Sequence, residues 1–340
     1  MRDNLVTFVR AGRLRRPARM RTRHPLLRQL VVRTALAVPV VLGVVTLIFL
    51  ISLLSHQDPA LAVLGPGSSA AARAAFDNAH GLGGNVFIRY GRYLDHLAHG
   101  NLGNALATQQ PISTLMGSAI PVTVSLTLLA SFLALLIGLV FGSIAAVRRN
   151  SLFDRGVTGL ASLGQAMPAP WTGLLVIELF AVNLHLVPSG GYTPPSQSIG
   201  GWLQSLITPA LVLAVPFGAV MARVVRGSMI EELNKDYVRT AEGLGLRRTT
   251  IVVRNVLGNA MVAPLTSFGT AMGQLFAGTV VIESLFQLPG LGMMLFNGIN
   301  EADFGLVEAV GIFGGVAFVF VNLVVDVIST LLNPRERVSR

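Results

Sequence analysis

The chain has 340 residues, 52% of them hydrophobic and 12% charged, about half the charged fraction of an ordinary soluble domain. Charge this sparse cannot cover a water-soluble globule of that size, so the composition points to a body that mostly faces lipid. The net charge of +10 would suit nucleic acid only as a basic stripe on a soluble fold, and the absence of cysteine excludes disulfides, thiolate metal sites and cysteine nucleophiles.

Residues 1–33 hold ten arginines and one aspartate. The apolar run that follows is too long, and this basic stretch too extended, for a signal peptide. The arm is expected to be cytoplasmic, either solvated or lying on anionic lipid. Residues 34–54 form the first expected span, with Ala35 to Leu54 uncharged. Residues 55–117 form a long loop. Within it Phe87, Tyr90, Leu94 and Leu97 recur at helical spacing, which predicts an amphipathic helix from Val86 to His99, on the membrane surface or against the helix ends. His80, His96 and His99 lie in the same loop without a supporting ligand set, so they are expected to be solvated or interfacial and no metal site is assigned.

Residues 118–332 are expected to hold five more spans. These are centred on Pro121–Ala146, Val157–Leu179, Leu203–Ala222, Met261–Ile282 and Leu306–Leu332. Pro168 and Pro170 should interrupt the third, and Pro209 and Pro216 fall within the fourth, where neighbouring helices or a cavity must satisfy the freed carbonyls. Gly138, Gly142, Gly269 and Gly273 should allow close helix contacts. Glu178, Glu283 and Asp326, each near a span end, are the candidates for the path or its gate, because charge in lipid is costly and often functional.

Charge sets the orientation. With both termini inside, segments 1–33, 147–156, 223–260 and 333–340 hold 23 of the 26 basic residues, and only Arg73, Arg89 and Arg92 fall outside. That pattern also removes the nucleic-acid reading. The expected fold is therefore an all-α polytopic membrane protein of six helices, with both termini cytoplasmic and a short tail at 333–340.

The loop 223–260 is too long and too patterned for a passive connector. Asp236 is expected to cap one short helix, Gly243 and Gly245 to end it, and Thr249 or Thr250 to start a second. Leu244 and Leu246 are then apolar residues displayed at the turn, with a basic rim. Such a projection suits docking in a cleft of a partner, and a helix pair lying against the bilayer is the alternative.

At these residues the sequence resembles the integral-membrane permeases of binding-protein-dependent ABC importers, in the dipeptide/oligopeptide/nickel group. Asp236-Tyr237-Val238-Arg239-Thr240-Ala241-Glu242-Gly243-Leu244-Gly245-Leu246 is similar to that group's cytoplasmic coupling loop. Arg254 to Ala260 with Pro264, Val281 to Phe286, and Leu288-Pro289-Gly290-Leu291-Gly292 match its continuation. Asn322 to Asp326, Leu332 to Arg335, Asp58-Pro59-Ala60 and Gly100 to Gly103 add to the match. It covers roughly residues 25–337. His56-Gln57 stands where the group usually has Pro-Gly, and Glu242-Gly243 where Arg-Ala is common.

The resemblance implies a type I ABC importer permease fold in a bacterial cytoplasmic membrane. It implies a second homologous permease subunit, two ATPase subunits that bind ATP and magnesium, and an extracytoplasmic peptide-binding protein. It gives this chain no cofactor and no catalytic residue. In agreement, no Gly-x-x-x-x-Gly-Lys-Ser/Thr run occurs and Lys235 is the only lysine. The implied cargo is a dipeptide or short oligopeptide, with nickel or another small solute as the alternative. A secondary carrier or an intramembrane enzyme is the distant reading, since the spans lack the central ionisable groups, nucleophile and base that these need.

Overall fold

A computed structural model describes residues 25–54 and 58–332. The arm 1–24, residues 55–57 with the pair His56-Gln57, and the tail 333–340 lie outside the described residues. What is described is helical throughout, apart from loops and one isolated bridge between Asn104 and Pro111.

Helix α1 spans Pro25–Leu54, so it begins well inside the expected arm. Three short helices follow, α2 (Pro59–Leu64), α3 (Ala70–Ala79) and α4 (Val86–Ala98). Asp58 caps α2 by accepting from the amides of Ala60 at 2.9 Å and Leu61 at 3.3 Å, and Pro59 occupies the first turn, where its missing N–H costs nothing. The expected amphipathic helix is α4. Tyr90 packs tilted against Phe49 of α1 and Tyr93 stacks on it, with centroids 5.1 and 5.5 Å away. Phe87, one turn earlier, is 84% exposed instead of sharing that packed face. His80 and His99 each turn a ring nitrogen to the carbonyl four residues back, Phe76 and Asp95.

The frame is a pair of long helices, α5 (Ile112–Val147) and α8 (Ile199–Leu233). At 36 and 35 residues each is roughly 50 Å long. They run parallel, with Gly218 against Ile137, Gly138 against Met221, and Gly142 against Ala222 and Val225. A Cβ built on Gly142 would lie 2.6 Å from the Ala222 carbonyl oxygen, so the absent side chain is what lets the backbones meet.

Parallel neighbours need a return path, and α6 (Leu152–Ala166) and α7 (Ala169–Val176) supply it. They bend by 103° where Met167, Pro168 and Pro170 break the helix, and a π-helical turn, Ile177–Asn183, extends α7. The expected third span is therefore a broken pair. Pro209 and Pro216, by contrast, lie within one continuous α8.

After α8 come α9 (Asp236–Gly243), α10 (Arg248–Thr250), a π-helical turn Ile251–Val256 and α11 (Leu257–Ala260). Then follow α12 (Val262–Leu285), α13 (Leu291–Asn300) and α14 (Phe304–Leu332). Helices α12 and α14 are antiparallel, with Gly269 on Val325 and Gly273 on Phe318. Helix α1 is antiparallel to α14, with Ser52 bonded to Glu308, Ile48 on Gly311 and Val44 on Gly315. Four described helices, α5, α8, α12 and α14, are long and apolar enough to cross a membrane, and the bent pair makes a fifth. Large apolar side chains such as Phe132, Leu136, Trp171, Leu174 and Phe320 are exposed along them, a surface suited to lipid and untenable in water.

Candidate functional site

The expected coupling loop folds as a helix, a turn and a second helix at the end where α5 and α8 stop. Asp236 is the first residue of α9 rather than its cap. Lys235 holds the cap position without a side-chain bond, since an ammonium has no acceptor to offer the first-turn amides, and it pairs instead with Glu232. Asp236, fully exposed, sits in the first turn, where a carboxylate favours the helix dipole.

The helix ends in a bonded turn. The Leu246 amide donates to the Ala241 carbonyl at 3.2 Å and the Gly245 amide to that of Glu242 at 3.0 Å. Gly245 has φ of +77°, a left-handed conformation that glycine takes without steric cost. Gly243 is the last helical residue, so the stop is at Gly245. The second helix starts with Arg247 as its cap, and Thr249 and Thr250 lie inside the helical run.

One face of α9 is buried and the other is open. Val238 and Ala241 join Val225 and Met229 of α8, Ala146 of α5, and Ile251, Val256 and Ala260 in a single apolar cluster. Arg239, Thr240, Glu242 and the whole run from Gly243 to Thr250 are exposed. Leu244 stands 76% exposed at the tip and Leu246 49%.

A polar strap fastens the buried face. Glu232, buried at the end of α8, accepts from the Tyr237 hydroxyl at 3.0 Å and pairs with Lys235. Burial pushes the Tyr237 phenol up, with a bond from Asn259 opposing and Glu232 reinforcing the shift. The Lys235 ammonium is likewise raised by its bond to Glu232. Both groups stay protonated donors at neutral pH.

A second clamp lies one step further in. Asp154 of α6, buried, receives Arg226 of α8 on both oxygens, Nε at 2.5 Å and a terminal nitrogen at 2.8 Å. It also accepts from the Asn150 amide at 2.9 Å, while its own amide donates to Ser151 at 3.2 Å. Sequence reasoning did not single out Asp154, Arg226, Glu232 or Asn259. The one available signal was Asp154 as a lone acid among Arg148, Arg149 and Arg155.

The acidic candidates separate. Glu178 is exposed on the π-helical turn, where Asn183 donates to its carboxylate at 3.2 Å. Glu283 is fully buried near the end of α12. Its carboxylate accepts from the Gly292 amide at 2.6 Å, while the neighbouring Leu291 amide donates to Thr123 of α5 at 2.8 Å. The stretch Leu288-Pro289-Gly290-Leu291-Gly292 thus folds the start of α13 over Glu283. A Cβ on Gly290 would press on the Glu283 carboxylate, and one on Gly292 would fall 2.7 Å from the Val280 carbonyl oxygen, backbone that cannot turn aside, so glycine is required at 292. The side chain of Asp326 lies outside the described residues.

Comparison with known proteins now gives this geometry a setting. Residues 138–338 match the family described as "binding-protein-dependent transport system inner membrane component". The chain belongs to that family. A putative peptide transport system permease protein of Brucella abortus is 38% identical over 305 residues, 90% of this chain and 97% of that one. An oligopeptide transport system permease protein of Bacillus subtilis is 32% identical, with 89% and 97% covered. A probable D,D-dipeptide transport system permease protein of Escherichia coli is 36% identical, with 87% and 93% covered. Among solved structures, an inward-facing methionine ABC transporter matches 65% of this chain and 97% of its own with a TM-score of 0.53 and 17% identity, a likeness of fold. The chain is a membrane-embedded transport permease whose relatives include peptide and dipeptide permeases.

Proposed function

We propose that this chain and a homologous partner form the transmembrane path of an ATP-driven importer of dipeptides or short oligopeptides. The observation that carries the reading is the near full-length match to several peptide permeases. The cargo would arrive from an extracytoplasmic binding protein, and two separate ATPase subunits would bind ATP and magnesium.

The proposed topology has six crossings with both termini cytoplasmic. Its support is the alternation of helix directions: α1 against α14, α14 against α12, and α5 parallel to α8 with the bent pair between. The charge asymmetry of the loops supports an orientation with the α9 end inside.

In this reading α9 and the Leu244–Leu246 turn seat in a cleft of the ATPase. Closure of the ATPase pair pushes on α9. Because Val238 and Ala241 are packed into the same cluster as Met229, Val225 and Ala146, the push moves α8 and α5 as a unit. The Asp154–Arg226 clamp carries α6 along. A rigid group rocking against the rest is a sufficient basis for alternating access. Glu283 acts as the fastener of α13 to α12 and α5.

The test is uptake of labelled di-, tri- and pentapeptides, compared with nickel, in a strain lacking this gene. Loss of peptide uptake, restored by the gene, is expected. Intact peptide uptake with nickel uptake lost overturns the cargo assignment.

A further inference from the structure

A cavity of about 420 Å³ opens between the last turns of α1, α4 and the first turns of α14. Nothing in the transport path described above uses it. Glu308 lines it, with one carboxylate oxygen accepting from Ser52 at 2.9 Å. The opposite wall carries Arg89 and Arg92, one turn apart on α4. Among the described residues neither guanidinium is within 4.0 Å of a carboxylate, although Arg89 acts electrostatically on Glu308. Arg92 lies over Gly81, where a Cβ would stand 3.2 Å from a guanidinium nitrogen. Tyr93 also lines the cavity, and burial raises its phenol so that it stays a proton donor.

Exposed apolar side chains lie close by in the chain: Phe87 and Ile88 at the start of α4, just before Arg89, and Leu47, Leu50 and Ile51 on α1, the helix on which α4 packs. Arg89 faces Glu308, and the other carboxylate of the lining, Asp303, is taken up by the Leu106 and Leu306 amides. Two arginines and a phenol in a half-open pit, with exposed apolar side chains nearby on a membrane-spanning chain, match an amphiphile with an anionic head. A soluble anion would leave the exposed Phe87 edge without a purpose.

We propose that this cavity binds the phosphodiester headgroup of a glycerophospholipid, with the phosphate on Arg89 and Arg92 and the acyl chains along Phe87, Ile88 and α1. Glu308 then faces the polar substituent of the head. The proposal rests on the membrane location of the chain and is independent of the cargo.

The test uses the whole transporter in vesicles of phosphatidylethanolamine and phosphatidylglycerol, with a phosphatidylglycerol carrying a photoreactive headgroup as probe. Labelling is expected on α4 and the end of α1. The Arg89→Gln/Arg92→Gln variant should lower it by about ten-fold or more, while Arg89→Lys/Arg92→Lys retains most of it. Phe87→Ser, at a position too exposed to threaten folding, should lower it several-fold and decides the matter if the arginine variant does not assemble. Equal labelling of wild type and Phe87→Ser, or of wild type and an assembled Arg89→Gln/Arg92→Gln variant, overturns the proposal. So does full competition by inorganic phosphate, which would mark a soluble-anion site, or by a dipeptide, which would mark a cargo site.

Discussion

Two sets of glycines divide the molecule. Where α5 crosses α8, a side chain on Gly138, Gly142 or Gly218 would collide with the neighbouring helix. At the α9 turn, a Cβ on Gly245 would meet nothing within 4 Å, yet the backbone there has φ of +77°. The first set is required for space and the second for conformation. The crossing is therefore closely packed, and the turn is fixed in shape but open to solvent. In the proposed coupling, the first would serve as a stiff arm and the second as the tip it presents.

The comparison breaks most severely at the crossing. Gly142→Leu should cost more than about 3 kcal/mol, because the obstacle is backbone that cannot turn aside. The expected outcome is loss of folded protein from the membrane, read by the amount that purifies in detergent as a single species. Wild-type yield with an unchanged melting temperature would show that α5 and α8 have room to separate.

The Asp154–Arg226 clamp ranks next. Asp154→Ala leaves Arg226 without its partner in a largely buried site, a loss of about 3–5 kcal/mol for a broken buried pair. Arg226→Met in the same background should recover part of it, since the orphaned charge is gone. The melting temperatures of the three proteins in one detergent decide this. If the double variant melts no higher than Asp154→Ala, the cost lies in the lost helix cap at Asn150–Asp154 and not in an orphaned charge.

Gly245→Val forces a β-branched residue into the left-handed region, at about 1–2 kcal/mol, with no clash. The protein should stay folded while the tip is displaced. ATP hydrolysis by the assembled transporter should continue and ATP-driven uptake in vesicles should fall by at least about ten-fold. Unchanged uptake would remove the turn from the coupling route.

Much of this frame is legible in sequence for a physical reason. Hydrophobic length and proline are local signals, so the spans and the break at Pro168 and Pro170 follow from residues near each other in the chain. The clamp is not local, since Asp154 and Arg226 are 72 positions apart. Glu178 and Glu283 look alike as acids near a span end, yet one is exposed and the other fully buried. Their difference arises because Gly290 and Gly292 let a helix start fold over Glu283, which only the tertiary structure reveals. The start of α9 differs from the expectation by one residue: Lys235, which has no acceptor to cap the helix, stands at the cap position and Asp236 lies inside the first turn.

The smallest effect on stability should come from the tip itself. Leu244 is 76% exposed and packs into none of the apolar clusters, so Leu244→Ser should change stability by no more than about 0.5 kcal/mol. Tyr237→Phe, which removes the bond to Glu232 and the one from Asn259 on the buried side of the same helix, should cost about 1–2 kcal/mol. If α9 works by presenting its tip, uptake should follow the reverse order. Leu244→Ser should reduce ATP-driven uptake more than Tyr237→Phe does, although it disturbs the isolated fold less. Melting temperature and vesicle uptake measured on both variants separate the two properties. Uptake that tracks melting temperature across the pair would mean that α9 matters for holding α8 in place and not for meeting a partner.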